Sequence, residues 1–310
     1  MNSNPAILVM RDTVIGDALD ELAARLQAEG ALVRRGDDAV AARRPLEVCV
    51  NAAHLNACEV IVSTPRYSIG PDTLAAAPQL KSIVLPTIGI DSVDVDAVAA
   101  RGITVANSAT PENFEGLAEA TVLLMLTLIR HPRSPRGVSR SLQGKTVGLL
   151  GFGRVGRSVA QRLQGWGAQL LAHAPSSQTA TEGVRLVPFD TLLSESDMLS
   201  VHSTLNATSR HLIDRRAIER MKAGAWLINT ARGGLVDEDA LCDALESGHL
   251  GGAAIDVFEV EPLPEKSRLR AAPCVILTPH RVGHTVELYR SLADAAYANV
   301  AAAISKARAG

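Results

Sequence analysis

The sequence predicts an α/β protein built from two Rossmann-like domains, each with a doubly wound parallel sheet. First, short apolar runs alternate with helical patterns in two successive series along the chain. Second, 47% of the residues are hydrophobic but only 3% are aromatic, so Ala, Val, Leu and Ile must fill the interior, as suits parallel sheets covered by helices. Third, 310 residues exceed one ordinary core, at about 150 residues a domain.

The two series of elements define the predicted sheets. Strands of the first series are predicted at 7–10, 60–63, 82–85 and 103–105, and its helices at 15–29, 72–77 and 93–101. The second series begins at Lys145. Its strands are predicted at 146–150, 169–173, 198–202, 225–229, 253–257 and 275–277, and its helices at 154–163, 215–221 and 237–246. Such regular alternation implies parallel strands joined by right-handed crossovers.

The domain boundary is predicted near a long helical pattern at 112–130, which the breaker-rich stretch 131–137 follows. A last helical pattern at 285–307 comes after the final strand of the second series. We expect this helix to return to the first domain. The first domain is therefore assigned to residues 1–107 and 285–310, and the second to residues 108–284.

Composition and charge exclude several classes of partner. The net charge of −2 and the pI of about 6.5, with dispersed Lys and Arg, favour a small solute over nucleic acid or an anionic membrane. The chain start lacks a signal-peptide pattern and no apolar run could span a membrane, so we expect a cytoplasmic protein. We interpret four cysteines, at no metal or redox spacing, as packing thiols: Cys49, Cys58, Cys242 and Cys274. No metal is expected.

A glycine motif between a predicted strand and a predicted helix indicates dinucleotide binding. Its residues are Gly151, Phe152, Gly153, Arg154, Val155 and Gly156. Gly151 permits a tight turn, Gly153 lets the backbone approach a pyrophosphate, and Gly156 allows close packing of helix and strand. The N–H groups at the helix start would face the anion. The alternative is an ordinary strand-to-helix turn.

The residue that selects the cofactor is expected about 20 positions further on, at the end of the predicted strand 169–173. An acidic residue there takes the ribose 2′-hydroxyl, but this chain has Ala174. No carboxylate repels a 2′-phosphate, and Ser176, Ser177 and Gln178 offer hydrogen bonds, yet the loop has no Arg to attract it. The sequence therefore leaves both NAD and NADP open.

Three further predicted strands end in segments that carry Arg232, Glu261 and His280. Ligands of open α/β sheets bind at such strand ends. Together these side chains would supply a clamp for a carboxylate, an acid/base near neutral pH, and a partner that holds this base. Taken singly, Glu261 could cap a turn, His280 could be a solvated loop residue, and Arg232 could pair with Asp237.

These segments, in this order after the glycine motif, resemble the D-isomer-specific 2-hydroxyacid dehydrogenases, a family that includes D-3-phosphoglycerate dehydrogenase and glyoxylate/hydroxypyruvate reductase. The resemblance covers nearly the whole chain. It extends to residues 89–94, 118–120, 202 and 236–241. It implies a flavodoxin-like, substrate-binding first domain, a dinucleotide-binding second domain, an active site in the cleft between them, and a homodimer with a shortened arm at 130–144.

The resemblance also implies a reaction, the transfer of hydride between NAD(P)H and a small 2-keto acid. His280 would be the proton donor to the keto oxygen, with Glu261 hydrogen-bonded to its imidazole, and Arg232 would grip the substrate carboxylate. Asp256 would hold the nicotinamide carboxamide. Backbone amides around Ile88 and Gly89 would also receive the carboxylate. The remaining cofactor contacts are assigned to Ala174, His202 and Thr230.

One departure from the family pattern lies beside the acid/base. Where relatives usually show Pro-His-Ile-Gly-Gly, this chain has Arg281 and Val282 after His280, and His284 follows. Arg281 adds a positive charge that could meet a second anionic group, so we hypothesise a dicarboxylate or phosphorylated substrate. Two alternatives stay open: a dinucleotide-sensing interaction protein with little or no turnover, and a dehydrogenase fold inactivated by these changes.

Overall fold

The computed structural model describes residues 5–37, 42–130, 139–175 and 181–309, with side chains up to residue 306. The predicted breaker-rich stretch and Ser176 to Gln178 lie outside these residues. Internal contacts divide the chain into two compact units: unit 1 comprises Met1–Asn113 and Thr285–Gly310, and unit 2 comprises Phe114–His284. The sequence predicts these divisions after residue 107 and before residue 285.

Unit 1 contains a five-stranded parallel sheet in the order β2-β1-β4-β6-β7, and a two-stranded ribbon of β3 and β5. The strands are β1 (Ala6–Val9), β2 (Leu32–Arg35), β3 (Arg44–Pro45), β4 (Val60–Val62), β5 (Tyr67–Ser68), β6 (Ser82–Leu85) and β7 (Thr104–Asn107). Its first helices are α1 (Gly16–Ala28), α2 (Ala52–Ala57), α3 (Pro71–Ala76) and α4 (Val95–Ala100), with a 3₁₀ turn at Leu46–Cys49. Without the ribbon, this is the 2-1-3-4-5 order of flavodoxin-like sheets.

Unit 2 contains a seven-stranded parallel sheet in the order β10-β9-β8-β11-β12-β13-β14. The strands are β8 (Thr146–Leu150), β9 (Gln169–His173), β10 (Val184–Leu186), β11 (Met198–Val201), β12 (Trp226–Asn229), β13 (Gly252–Ile255) and β14 (Val275–Leu277). The helices are α5 (Pro111–Arg130, which begins just before the unit does), α6 (Arg154–Leu163), α7 (Phe189–Glu195), α8 (Arg215–Arg220) and α9 (Glu238–Glu246), with 3₁₀ turns at Gly233–Leu235 and Arg268–Arg270. Counted within the unit, the first six strands follow the Rossmann order 3-2-1-4-5-6, so the switch point lies between β8 and β11.

The central strands of unit 2 are buried on both faces. In β12, Leu227 packs in the same core cluster as Leu241 of α9, whereas Ile228 packs in the cluster of Met125 of α5. Successive side chains of a strand point to opposite faces, so helices must cover both sides of the sheet. This explains why the strands appear as apolar runs without alternation.

The last helix, α10 (Val286–Ala309), belongs to unit 1. Leu288, Leu292, Ala296 and Val300 recur every four residues and are all buried. They share a core cluster with α1, including Leu22. Because such spacing places side chains on one helical face, α10 closes the core of unit 1 over α1.

The predicted α/β class with parallel sheets is confirmed. Edge strands β2 and β10 and helices α2 and α7 were not among the predicted elements. Only Val33 is buried in β2, so its sequence carries neither an apolar run nor a clear alternation. Within the described ranges, no helix has both the length and the apolar character to cross a membrane.

Candidate active site

The predicted site residues of unit 2 follow strands that end at one edge of its sheet. Gly151 follows β8, His202 follows β11, Thr230 follows β12, Asp256 follows β13, and the His280 segment follows β14. All these strands are parallel, so their carboxyl ends meet at the same edge. The edge includes the switch point, where open α/β sheets bind ligands.

The turn between β8 and α6 requires glycine at two positions. Gly151 has φ 99°, in the left-handed region, and a Cβ there would lie 2.6 Å from the His202 carbonyl carbon. At Gly156, in the first turn of α6, a Cβ would lie 2.4 Å from the Gly151 carbonyl oxygen. Any side chain at either position would push neighbouring backbone away.

Gly153 caps the start of α6 and faces open space. A Cβ built at Gly153 meets no atom within 4 Å, and no side chain hydrogen-bonds the cap. Phe152 is buried in the core, Val155 is partly buried, and Arg154 is exposed. This helix start fits a pyrophosphate, because its first N–H groups and the helix dipole both favour an anion.

Two polar residues lie at the neighbouring strand ends. His202 Nε2 lies 2.9 Å from Ser200 Oγ, and burial lowers the pKa of His202 to about 4. The imidazole is therefore neutral at pH 7. Thr230 is buried, and its hydroxyl lies 3.0 Å from that of Thr121 on α5. Both residues offer uncharged hydrogen-bonding groups at this edge.

Asp256 is 2% exposed and joins the ends of β13 and β14, because its Oδ1 accepts the Arg281 N–H at 3.0 Å. Burial raises the pKa of Asp256, although hydrogen bonds and the charge of His280 act against it. The Arg281 side chain is exposed. A buried carboxyl group at this depth fits a neutral donor such as a carboxamide N–H.

His280 and Glu261 form a hydrogen-bonded pair. His280 Nδ1 lies 2.8 Å from Glu261 Oε2, while Glu261 Oε1 accepts the Phe258 N–H at 3.1 Å. Glu261 thus caps its own turn and holds His280 as well. The two side chains keep 38% and 36% of their surface exposed, so a small solute can reach the pair. His280 has φ 55°, a conformation rare outside glycine.

Arg232 contributes charge to this pair. Burial acts to raise the pKa of Glu261, but the hydrogen bond and charge of His280, the Phe258 N–H and the charge of Arg232 outweigh it, so that this pKa lies below its ordinary value. Glu261 is therefore a carboxylate at neutral pH. Arg232 Nη1 donates to the Ala231 carbonyl at 2.7 Å. Asp237, the partner considered for Arg232, accepts the Ala240 N–H as the cap of α9.

Of the remaining predicted binding residues, two lie in unit 1 and one lies at the same sheet edge of unit 2. Ile88 and Gly89 follow β6 in unit 1, are partly buried, and the Ile88 carbonyl accepts Asn107 Nδ2 at 2.7 Å. Ala174 follows β9 in unit 2 and packs partly buried against its core. It therefore stands at the strand end where the cofactor-selecting residue was predicted.

Two loop contacts were not predicted from the sequence. A Cβ at Gly233 would lie 1.9 Å from the Phe258 carbonyl carbon, so the loop before Glu261 passes directly over Gly233. Glu238 Oε1 accepts the Glu259 N–H at 2.6 Å. The two glutamates are 21 positions apart, and no motif or spacing rule relates them.

Within the part of the chain that the structure describes, no group of three or more His, Cys, Asp or Glu side chains is arranged to hold a metal ion. The four cysteines are free thiols. Burial raises the pKa of Cys58 to about 12 and that of Cys242 to about 11, so neither thiol is reactive at neutral pH.

Comparisons with known proteins agree with this architecture. Residues 128–281 match the family model described as D-isomer specific 2-hydroxyacid dehydrogenase, NAD binding domain. A hydroxypyruvate reductase of Thermotoga maritima is 36% identical over 249 residues, which cover 75% of this chain and 80% of the relative. A D-3-phosphoglycerate dehydrogenase of Mycobacterium leprae is 38% identical over 258 residues, or 78% of this chain but 48% of the relative. The chain thus spans about half the length of that relative.

A solved structure extends the similarity to nearly the whole chain. A D-lactate dehydrogenase from Aquifex aeolicus, complexed with NAD and lactic acid, matches with a TM-score of 0.85 at 25% identity and covers 97% of this chain and 96% of its own. Fold and site therefore define a dinucleotide-binding α/β protein of the dehydrogenase type. The chain belongs to the D-isomer-specific 2-hydroxyacid dehydrogenase family, and the predicted resemblance is confirmed.

Proposed function

We propose that the protein is an oxidoreductase that transfers hydride between NAD(P)H and a small 2-keto acid, giving a D-2-hydroxy acid. The observation that carries this proposal is the pair of His280 Nδ1 and Glu261 Oε2 at 2.8 Å, at the same sheet edge as the glycine turn. Family membership supports the same reaction, since two relatives are a hydroxypyruvate reductase and a D-lactate dehydrogenase.

His280 is the proposed acid/base. Its Nδ1 is engaged by Glu261, so Nε2 is the nitrogen that carries the exchanged proton. In the reductive direction His280 Nε2 gives this proton to the keto oxygen, while the imidazolium is stabilised by the Glu261 carboxylate. A bound reduced nicotinamide supplies the hydride that forms the new C–H bond.

Arg232 and Asp256 orient the two reactants in this proposal. The Arg232 guanidinium pairs with the substrate carboxylate in two parallel hydrogen bonds and polarises the adjacent carbonyl. Asp256 receives the carboxamide N–H of the nicotinamide and fixes which ring face meets the substrate. We also assign carboxylate contacts to the backbone around Ile88 and Gly89.

The cofactor is NAD or NADP. Gly151 to Gly156 bind the pyrophosphate, and Ala174, His202 and Thr230 contact the remainder of the dinucleotide. Ala174 leaves the ribose end without a carboxylate, so the charge repulsion that excludes a 2′-phosphate is missing at that position. Comparing Kd for NADH and NADPH by fluorescence titration decides between them.

The proposal is tested by a substrate panel with both cofactors. Purified protein is assayed with glyoxylate, hydroxypyruvate, pyruvate and oxaloacetate, in the presence of NADH or NADPH. Reduction of at least one acid at a kcat on the order of 1 s⁻¹ or faster is expected. Tight binding of a cofactor with no turnover of any acid would instead support the alternative, a dinucleotide-sensing interaction protein.

We further propose that the protein is a cytoplasmic homodimer.

Arg281 makes the substrate class more specific. Its exposed guanidinium follows His280 directly, so we propose that it meets a second anionic group of a dicarboxylate or phosphorylated acid. Arg281→Ala is expected to lower kcat/KM for oxaloacetate about tenfold and leave that for glyoxylate within twofold. Equal losses on the two acids would reject this role.

A further inference from the structure

The loop that carries Glu261 is held at two points by neighbouring backbone. At the first point, Gly233 lies so close to Phe258 that a Cβ would overlap the carbonyl carbon. Gly233 begins the 3₁₀ turn that follows Arg232, so the loops of Arg232 and Glu261 are in direct backbone contact. This contact sets the distance between the two loops. Gly233 has no side chain that could also hold the Glu261 loop by a hydrogen bond.

The second point is an exchange of hydrogen bonds between Glu238 and Glu259. Glu238 is the first residue of α9, and its Oε1 accepts the Glu259 N–H at 2.6 Å. In return, Glu259 Oε1 accepts the Glu238 N–H at 3.4 Å. The Glu259 carboxylate also lies 3.4 Å from Arg210 Nη2 and 3.2 Å from His211 Nε2. The short bond to Glu238 therefore fastens the middle of the loop to α9.

Two hydrogen bonds hold neighbouring N–H groups of this loop. The Phe258 N–H reaches Glu261 Oε1, and the next N–H along the chain, that of Glu259, reaches Glu238 Oε1. Consecutive amides of one loop are thus each bound by a carboxylate. If the Glu259 N–H loses its acceptor, the loop loses the hydrogen bond that fastens it to α9, and the position of Glu261 is less well fixed.

The negative charge of the Glu238 carboxylate is unfavourable at this position. Burial first, and then the negative charges of Glu259, Asp239 and Glu261, raise the pKa of Glu238, although the Glu259 N–H acts against them. A neutral acceptor at this position would avoid the repulsion. The hydrogen bond from the Glu259 N–H needs an acceptor oxygen, which a neutral carboxamide also supplies.

We propose that Glu238 is a positioning residue, whose side-chain oxygen holds the loop 258–261 so that Glu261 reaches His280. This inference rests on the proposed function for its effect on turnover, but the geometry it describes is independent of turnover. If Glu238 merely stabilised the fold, its removal would lower stability and leave the His280 to Glu261 bond intact.

The experiment compares Glu238→Ala, which removes the acceptor, with Glu238→Gln, which keeps it. Glu246→Ala is the matched control, because Glu246 ends the same helix and its carboxylate pairs with Arg268. Nitrogen-15 shifts of the His280 imidazole, assigned by their loss in His280→Ala, report the population with a proton on Nδ1. A Glu261→Gln variant gives the value without the carboxylate. Steady-state kinetics and thermal unfolding are measured on each variant.

We expect Glu238→Ala to move the His280 shifts toward those of Glu261→Gln and to lower kcat about ten- to hundredfold, with KM little changed. Glu238→Gln and Glu246→Ala should match the wild type. His280 shifts and a kcat in Glu238→Ala that equal the wild-type values would overturn the proposal, whatever the change in melting temperature. If the wild type turns over no acid, the proposed function fails, and the imidazole shifts alone still decide the role of Glu238.

Discussion

The first strand-to-helix turn is closed in unit 1 and open in unit 2, although each turn leaves a central strand of a doubly wound sheet. In unit 1, Asp12 follows β1, and its Oδ1 accepts the N–H groups of Val14 at 2.7 Å and Ile15 at 3.0 Å, just before α1. Its Oδ2 accepts the Thr64 hydroxyl at 2.8 Å. In unit 2, the space beside Gly153 is open and no side chain caps α6.

In unit 1 an internal carboxylate occupies the turn, and we propose that an external anion occupies the corresponding turn of unit 2. Both turns provide N–H groups at a helix start, which favour negative charge. In unit 1, Asp12 accepts the N–H groups of Val14 and Ile15, which lie just before α1, whereas the glycine turn leaves the N–H groups at the start of α6 for a ligand. One topology thus supports a closed structural turn and an open binding turn, and side chains at the turn decide which.

The largest expected effect belongs to the open edge of unit 2. Replacing the proposed acid/base in His280→Ala should lower kcat by about 10²–10⁴-fold, because it removes the imidazole that the Glu261 carboxylate holds for proton transfer. The affinity for the dinucleotide should stay within about threefold of the wild type. Steady-state kinetics on the best acid of the panel and a fluorescence titration with NADH measure the two quantities.

The control for this prediction is Asp12→Ala in the closed turn of unit 1. It removes three hydrogen bonds, so the free energy of unfolding should fall by about 1–3 kcal/mol, while kcat per folded molecule should not change. If Asp12→Ala lowers kcat as strongly as His280→Ala does, the turn of unit 1 is not purely structural and the comparison is wrong.

A smaller effect should appear in the acid stability of unit 2. The pKa of His202 is lowered to about 4 from an ordinary value of 6.5, so between these pH values the unfolded chain binds a proton that the folded chain does not. The contribution of His202 to stability is complete above pH 6.5 and is lost as the pH falls toward 4. Urea titrations should show that wild type loses about 2–3 kcal/mol more than His202→Gln between pH 7 and pH 4.5. Parallel pH curves for the two proteins would contradict this.

The smallest expected effect compares glycines that cap a helix in each unit. Gly153 before α6 and Gly70 before α3 both have extended backbone and an empty Cβ position. Gly153→Ala should raise Kd for the dinucleotide about tenfold, since a methyl group would stand where the pyrophosphate approaches, with little loss of stability. Gly70→Ala should leave Kd unchanged. An unaltered Kd in Gly153→Ala would contradict the proposal that the pyrophosphate binds at this turn.

The sequence predicted the strands that are apolar runs better than the strands that are not. Strands β8 and β9 were predicted with the bounds that the structure shows, because burial on both faces makes them apolar runs. The edge strand β10 has one buried residue, Val184, and carries no such signal. Local patterns detect apolar runs, such as that of the partly buried edge strand β14, and they fail for β10, which contains the exposed Arg185.

For the candidate site, the sequence was informative wherever a residue follows a strand end. Glycine spacing and strand order were enough to place Gly151, Asp256 and His280 at one edge of the sheet. They did not reveal that Glu238 binds the backbone of Glu259, because this bond joins a helix start to a distant loop and depends on tertiary packing. The double role of Glu261, as turn cap and as partner of His280, likewise required coordinates.

The return of α10 to unit 1 has a consequence during synthesis on the ribosome. Unit 2 is continuous in sequence and can fold as soon as it has left the exit tunnel, whereas unit 1 waits for residues beyond 285. Until then, the α1 surface that α10 covers, including Leu22, is exposed on the nascent chain. The domain whose translation begins first is therefore the one completed last.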